Sequence, residues 1–243
     1  MRRLAAVLLL MGSVMAHAPS AAAVSGSATY LARIATPPGS VFEALLTGAG
    51  DTGERRILIR QREVDVTSPP FAISLPYEGE ASDLRVHAIL RLPDGRLFFS
   101  GVAQAASGTV EVVMSRDETG ERRLGLIGPQ WRLFRLGEET VAPIEGERAL
   151  PYFVFGPAGR VSGAASCNQV SAAYSLGADG ALSFSQAAAT MTACEEPVMA
   201  RERAVFDLMA AVESFAIESD RLTVIGGGVP LAVFVAEPDI ASE

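Results

Sequence analysis

Only two cysteines occur in this chain, Cys167 and Cys194, and they are 27 positions apart (194 minus 167). Three states are open to them: a structural disulfide, two buried thiols, or a redox-active pair. Redox exchange needs a thiolate of lowered pKa with a close partner, as in Cys-x-x-Cys. That spacing is absent here, so a stapling disulfide is the reading preferred. Asn168, the sole asparagine, follows the first cysteine directly. It could offer an amide to a ligand, but an asparagine at a turn more commonly bonds its own turn or adopts a left-handed conformation. Carboxylates offer a second chemistry. Glu195 and Glu196 are adjacent, and Glu202 lies about two helical turns on. Paired carboxylates can do acid–base work when one is buried. At a helix start they more often complement the dipole.

Other catalytic chemistries are poorly provisioned. Beyond the first 23 residues the one histidine is His87, inside an extended segment, where it reads as a surface or partly buried strand residue. A multi-histidine metal site is therefore excluded, and a Ser-His-Asp arrangement would have to use His87. Gly159-Arg160-Val161-Ser162-Gly163 has the wrong spacing for a nucleophile elbow. There is no lysine, so Schiff-base chemistry is excluded. Gly226-Gly227-Gly228 precedes a strand and not a helix, unlike a phosphate-binding loop. No catalytic residue, metal or cofactor is assigned, and the chain is not read as an enzyme.

The N-terminus points to export. Met1-Arg2-Arg3 leads into a mostly apolar run at 4–15, then small residues ending Ala21-Ala22-Ala23. A charged start, a short apolar run and an Ala-x-Ala end describe a signal peptide. The run is shorter than the roughly 20 residues that span a bilayer. Residues 1–23 are thus expected to be a signal peptide cut after Ala23, with a cut after Ala18 disfavoured by Pro19. An uncleaved anchor is the alternative. No cysteine near the cut is available for lipid attachment, so no membrane insertion is expected after cleavage. The expected location is periplasmic or secreted. Formal charge is −8 for the whole chain; without Arg2 and Arg3 it becomes −10. A net acidic chain with no basic cluster argues against nucleic-acid partners.

The elements that would position these residues are mainly strands. Short extended segments at 26–33, 41–46, 55–60, 71–76, 84–92, 96–100 and 109–114 are separated by turn residues, with Pro93-Asp94-Gly95 a hairpin signal. Seven such strands predict an antiparallel β-sandwich. The polar stretch 115–123 reads as a junction. Beyond it, strands are expected at 130–136, 152–155, 160–165, 171–176, 181–184, 214–218, 221–225 and 231–236. One helix is predicted over 195–212. Its apolar face is Val198, Val205, Phe206, Met209 and Val212, with Pro197 tolerated in the first turn. Glu202 falls on that same face and needs a rim position or a hydrogen-bond partner. A curved sheet or open barrel with one packed helix is the expected architecture.

These residues support two resemblances. Trp131, the 159–163 turn and strand ending in Gly163, Cys167-Asn168, Thr190-Met191-Thr192-Ala193-Cys194, Glu202 and Arg221-Leu222-Thr223 resemble the META domain family of HslJ type, over 124–237. The resemblance marks Trp131, Gly163, Asn168, Met191 and Glu202 as structural motif positions. It departs from the family at Ser166, where glycine is usual. The first half, 24–117, is similar to the YbaY-like domain, a family related to small lipoprotein chaperones of secretion systems. Val24-Ser25-Gly26, Ala35-Thr36-Pro37-Pro38-Gly39-Ser40, Leu75-Pro76-Tyr77 and Asp94-Gly95-Arg96-Leu97-Phe98-Phe99 carry that likeness. The two resemblances imply a non-catalytic envelope protein serving stress tolerance or envelope assembly through an envelope protein partner. The alternative is a module binding a small apolar or drug-like molecule in the barrel of the second domain or at the domain junction.

Overall fold

A computed structural model describes residues 22–50, 55–78, 80–116 and 125–237. The expected signal peptide lies outside these residues up to its last two positions, as does most of the junction at 115–123.

The first half contains seven strands: β1 (Ala22–Tyr30), β2 (Ser40–Ala49), β3 (Arg55–Val66), β4 (Phe71–Tyr77), β5 (Ser82–Arg91), β6 (Leu97–Gln104) and β7 (Thr109–Met114). They form two sheets, ordered β4-β1-β7 and β3-β2-β5-β6. Period-two burial on β4 and β7 turns Phe71, Ile73, Leu75, Val110, Val112 and Met114 inward. These pack on Phe42, Leu46, Val86, Leu90 and Phe99 of the facing sheet. One expectation is corrected: the sandwich is not wholly antiparallel, because β1 and β7 pair in parallel, with Tyr30 opposite Met114. Parallel neighbours need a long crossover, which the five intervening strands provide.

Two strand edges in this half are met at particular residues. Ser100 and Ser115 exchange backbone hydrogen bonds at 2.9 and 2.8 Å, joining the end of β7 to β6. The Gln61 side chain meets the β4 edge, donating to Ala72 O at 2.9 Å and accepting from Ser74 N at 2.8 Å. An amide group so placed occupies donors and acceptors that would otherwise invite another strand. β2, and β5 from Val86 to Arg91, are buried on both faces. Phe42, Ala44 and Leu46 face the sandwich core, and the opposite face is covered by the second half of the chain.

That second half holds β8 (Gln130–Leu136), β9 (Glu139–Thr140), β10 (Tyr152–Gly156), β11 (Arg160–Ala164), β12 (Gln169–Leu176), β13 (Leu182–Phe184), β14 (Ala188–Ala189), α1 (Glu196–Ala211), β15 (Ser214–Glu218), β16 (Arg221–Gly226) and β17 (Val229–Ala236). The sheet runs β13-β12-β11-β10-β8-β17-β16-β15, with β14 on β12 and β9 on β8. Its two ends meet through an Ala181–Ser214 bridge and a Leu182 N to Glu213 O bond of 2.9 Å. The result is a nearly closed barrel. The eight predicted strands are present; the two-residue β9 and β14 carry no periodicity and went unpredicted.

The helix buries Val198, Glu202, Val205, Leu208 and Met209. Leu208 belongs to that face, and Phe206, expected on it, is only partly buried. Trp131, Phe153, Phe155, Leu222 and Phe234 fill the space beneath the helix, and Trp131 Nε1 donates to Leu126 O at 2.9 Å. Gly163 is required by the pairing of β10 with β11: a Cβ there would lie 1.8 Å from Tyr152 O.

Candidate functional site

Two constellations gather the polar residues of the interior. The first surrounds Asn168, at the start of β12. Its Oδ1 accepts from Thr190 Oγ1 and from Thr192 N, each at 2.7 Å. Its Nδ2 donates to Thr192 O at 2.9 Å and to Glu202 Oε1 at 3.0 Å. Its backbone N–H donates to Glu202 Oε2 at 2.7 Å. The expectation that this side chain serves its own turn is therefore corrected. Its partners come from the loop before α1 and from α1 itself, because the amide is 2% exposed and must satisfy donors and acceptor where the fold places them. Glu202 is buried on the core face, and this pairing is what makes a carboxylate tolerable there.

The disulfide closes the same knot, linking Cys167 to Cys194. Ser166, beside it, is 1% exposed with φ of +104°, a conformation that favours glycine. Its hydroxyl provides compensation, donating to Glu147 Oε1 at 2.5 Å. Glu147 also accepts from Arg201 Nη1 at 2.9 Å and from Ile144 N at 3.1 Å. This carries the 144–147 loop onto the helix. Mass spectrometry of non-reduced protein should show the Cys167 and Cys194 peptides linked. Reduction should lower unfolding free energy by about 2–4 kcal/mol, read from denaturant curves with and without reductant; two freely alkylated thiols in the oxidised protein would contradict this.

The second constellation joins the two halves. Val41, Phe134 and Val235 form its apolar centre, all fully buried. Glu43, on the same face of β2 as Val41, is 0% exposed. It ion-pairs with Arg62 Nη1 through Oε1 and with Arg132 Nη2 through Oε2, the latter at 2.5 Å. Arg60 Nη1 lies 3.8 Å from Glu43 Oε2. Glu237 completes the set, accepting from Arg132 Nε at 2.6 Å and Arg60 Nη2 at 2.5 Å. Arg62 also reaches across with Nε to Val141 O at 2.7 Å, and its guanidinium carbon sits 4.9 Å from the centre of the Phe134 ring. On the other flank, Arg91 Nη1 pairs with Asp220 Oδ2 at 2.7 Å, and Arg221 Nη1 donates to Asp94 O at 3.1 Å.

The electrostatics follow from this packing. Burial works to raise the Glu43 pKa, but Arg132 and Arg62 outweigh it and hold the carboxyl well below the usual range. Burial likewise opposes the Arg132 charge, and Glu43 with Glu237 overcomes it, so its pKa is raised. For Arg62 burial dominates and brings the pKa down to about 10, still far above neutrality. Glu43, Arg62 and Arg132 stay charged, and the pairs Glu43–Arg132 and Arg60–Glu237 are met only when the two halves are placed as they are here. Such a network selects an arrangement more than it adds net stability.

The remaining sequence candidates are dispersed. His87 is not a surface residue: it is 3% exposed, with Nε2 3.2 Å from Thr47 Oγ1. It is buried because β5 is covered on both faces from Val86 to Arg91 and His87 lies on the face away from the sandwich core. Glu195 and Glu196 are exposed and apart from the buried Glu202, and Glu196 pairs with Arg203 at 2.5 Å. Gly227 N, in the β16–β17 turn, donates to Glu213 Oε2 at 3.0 Å. Met191 is 99% exposed and takes no part in the core built by the other motif positions, because its two neighbours are held by Asn168 and point it outward. Beneath the helix, the gap between Phe153, Phe155, Leu208, Met209 and Phe234 leaves no room for even a water-sized molecule. Sequence reasoning missed Glu43, Arg62, Arg132 and Glu237. The available signal was one glutamate inside a continuous apolar run, Val41-Phe42-Glu43-Ala44-Leu45-Leu46.

Residues 125–238 match the model of the META domain family. A comparison with curated proteins gives no match. Among solved structures, an alternative pilotin from the type II secretion system of Vibrio cholerae is 21% identical, over 39% of this chain and 96% of that one, with TM-score 0.35. A protein from Burkholderia xenovorans, solved by NMR, is 20% identical over 46% of this chain and 83% of its own, with TM-score 0.39.

Proposed function

We propose, from the match of residues 125–238 to the META domain family, that the chain is a non-catalytic protein exported to the cell envelope, where it supports stress tolerance or the assembly of envelope proteins through contacts with a partner protein. In this reading residues 1–23 are a signal peptide, 24–117 a YbaY-like domain and 124–237 the META domain.

The observation that carries the proposal is how the buried polar groups are used. Glu43 with Arg132, Glu237 with Arg60, and Arg62 with the Val141 carbonyl hold the two halves together. Glu202 and Asn168 hold the helix to the barrel, and Glu147 holds a loop. A functional carboxylate pair needs access to substrate and one group free to exchange a proton. These groups are instead committed to partners that fix the shape of a rigid body. A rigid body of this kind acts through its surface. No helix among the described residues is long and apolar enough to cross a membrane.

Crosslinking in intact cells, with mass spectrometric identification of what is joined to the chain, tests the proposal. Enrichment of an envelope protein over background is the expected result. Recovery of the chain alone, or of cytoplasmic proteins, would count against it. N-terminal sequencing of the exported form should begin at Val24.

A further inference from the structure

We propose that Met191 is an oxidation site: a surface methionine that peroxides convert to the sulfoxide while the fold stays intact. The inference rests on placement and holds whether or not the chain meets a partner protein.

Met191 is 99% exposed, whereas Met114 and Met209 are 2% and 4% exposed and Met199 is intermediate. An apolar side chain normally folds back against its own loop to escape water. Here the backbone forbids it. Thr190 N donates to Gln169 O at 3.1 Å, Thr190 Oγ1 and Thr192 N both reach Asn168 Oδ1, and Thr192 O accepts from Asn168 Nδ2. Two residues further on, Cys194 is covalently tied to Cys167. The thioether is thus held in solvent by the same knot that closes the domain.

No thiol competes for oxidant, since both cysteines are in the disulfide. The reaction is an oxygen-atom transfer. The sulfur attacks one peroxide oxygen, the O–O bond breaks, and the second oxygen leaves as water carrying both protons. The thioether is oxidised by two electrons and the peroxide reduced by two. The product is polar and chiral. The side chain has no packing to lose, so the change is confined to the surface of the loop, which turns from apolar to polar.

The test is a time course in hydrogen peroxide of the exported form from Val24, whose methionines are Met114, Met191, Met199 and Met209, with fragment-ion mapping of added oxygen at each methionine and thermal unfolding of the product. Met191 should react about tenfold or more faster than Met114 and Met209, following exposure, with Met199 slower than Met191. The singly oxidised protein should keep its melting midpoint, and Met191→Leu should lack the fast phase while melting at the same temperature. Methionine sulfoxide reductase should return the oxidised protein to its starting mass. Equal rates at Met191 and the buried methionines would overturn the assignment. So would a melting midpoint lowered by oxidation in the parent chain and unchanged by oxidation in Met191→Leu.

Discussion

Glu43→Ala should reduce the free energy of unfolding by about 3–5 kcal/mol, the cost of breaking a buried ion pair and stranding its partner. The carboxylate faces Arg62 and Arg132 at once, and both guanidinium groups are buried at the junction of the two halves. Removing it leaves two cations with only Glu237 against Arg132, and backbone carbonyls against Arg62. Glu43→Gln keeps the shape and removes the charge, so it should recover little of the loss. Simultaneous replacement of Glu43, Arg62 and Arg132 by apolar residues of similar volume should be far milder than Glu43→Ala, because no charge is then left buried alone. Equilibrium denaturation of the set reads the comparison; an Ala variant within about 0.5 kcal/mol of the parent, the range of ordinary surface changes, would refute the account.

The same site makes a pH prediction. Glu43 titrates in the folded chain well below its ordinary value of 4.5. A depressed folded pKa means the unfolded chain takes up the proton first. Its contribution is therefore fully present above the unfolded pKa and is lost as pH falls below it toward the folded pKa. Glu237 is depressed in the same direction, against its burial, by Arg132 and Arg60. Stability should thus fall on acidification below the ordinary carboxylate range, and Glu43→Gln should flatten that slope.

Asn168→Asp should cost about 3–5 kcal/mol at neutral pH, by putting an uncompensated charge in the interior. It replaces an amide that donates to Glu202 with a carboxylate about 3 Å from it. Two carboxylates so close cannot both remain ionised, so one takes up a proton at a pH above the usual range. The sign is then opposite to that at Glu43. A folded pKa raised above the unfolded value means the folded chain binds the extra proton, and stability should increase as pH falls from neutral toward the ordinary carboxylate pKa. Glu202→Gln in the Asn168→Asp background removes one of the two charges and should restore part of the loss. Denaturation curves at several pH values, with the helix signal followed by circular dichroism, would measure this; a variant whose stability falls with acidification like the parent would rule out the pairing.

Reading the chain by local signals succeeded where the physics is local. Strands such as Phe71–Tyr77 and Thr109–Met114 alternate apolar and polar residues because one face meets a core. The helix at Glu196–Ala211 shows Pro197 at its start and an apolar face at three- and four-residue spacing. The predicted strands and helix needed nothing beyond neighbours in sequence, and a 27-residue separation of two cysteines, in a chain expected to be exported, was enough to prefer a disulfide. Three details are out of reach of local signals for a common reason. That His87 is buried and not a surface or partly buried strand residue, that the Asn168 side chain bonds beyond its own turn, and that Met191 is exposed all depend on residues far along the chain. Thr47 stands beside His87, Glu202 and Thr192 hold Asn168, and the held backbone of Thr190 and Thr192 turns Met191 outward. The junction is the extreme case: Arg132 is 89 positions from Glu43, and Glu237 is 177 from Arg60. Hydrophobic periodicity records which face of an element is buried, so the sequence by itself determined the strands, the helix and the β-rich class. It does not record which other face covers that one, so only the tertiary structure decided that a glutamate in an apolar strand is the partner of arginines on both sides of the junction between the two halves.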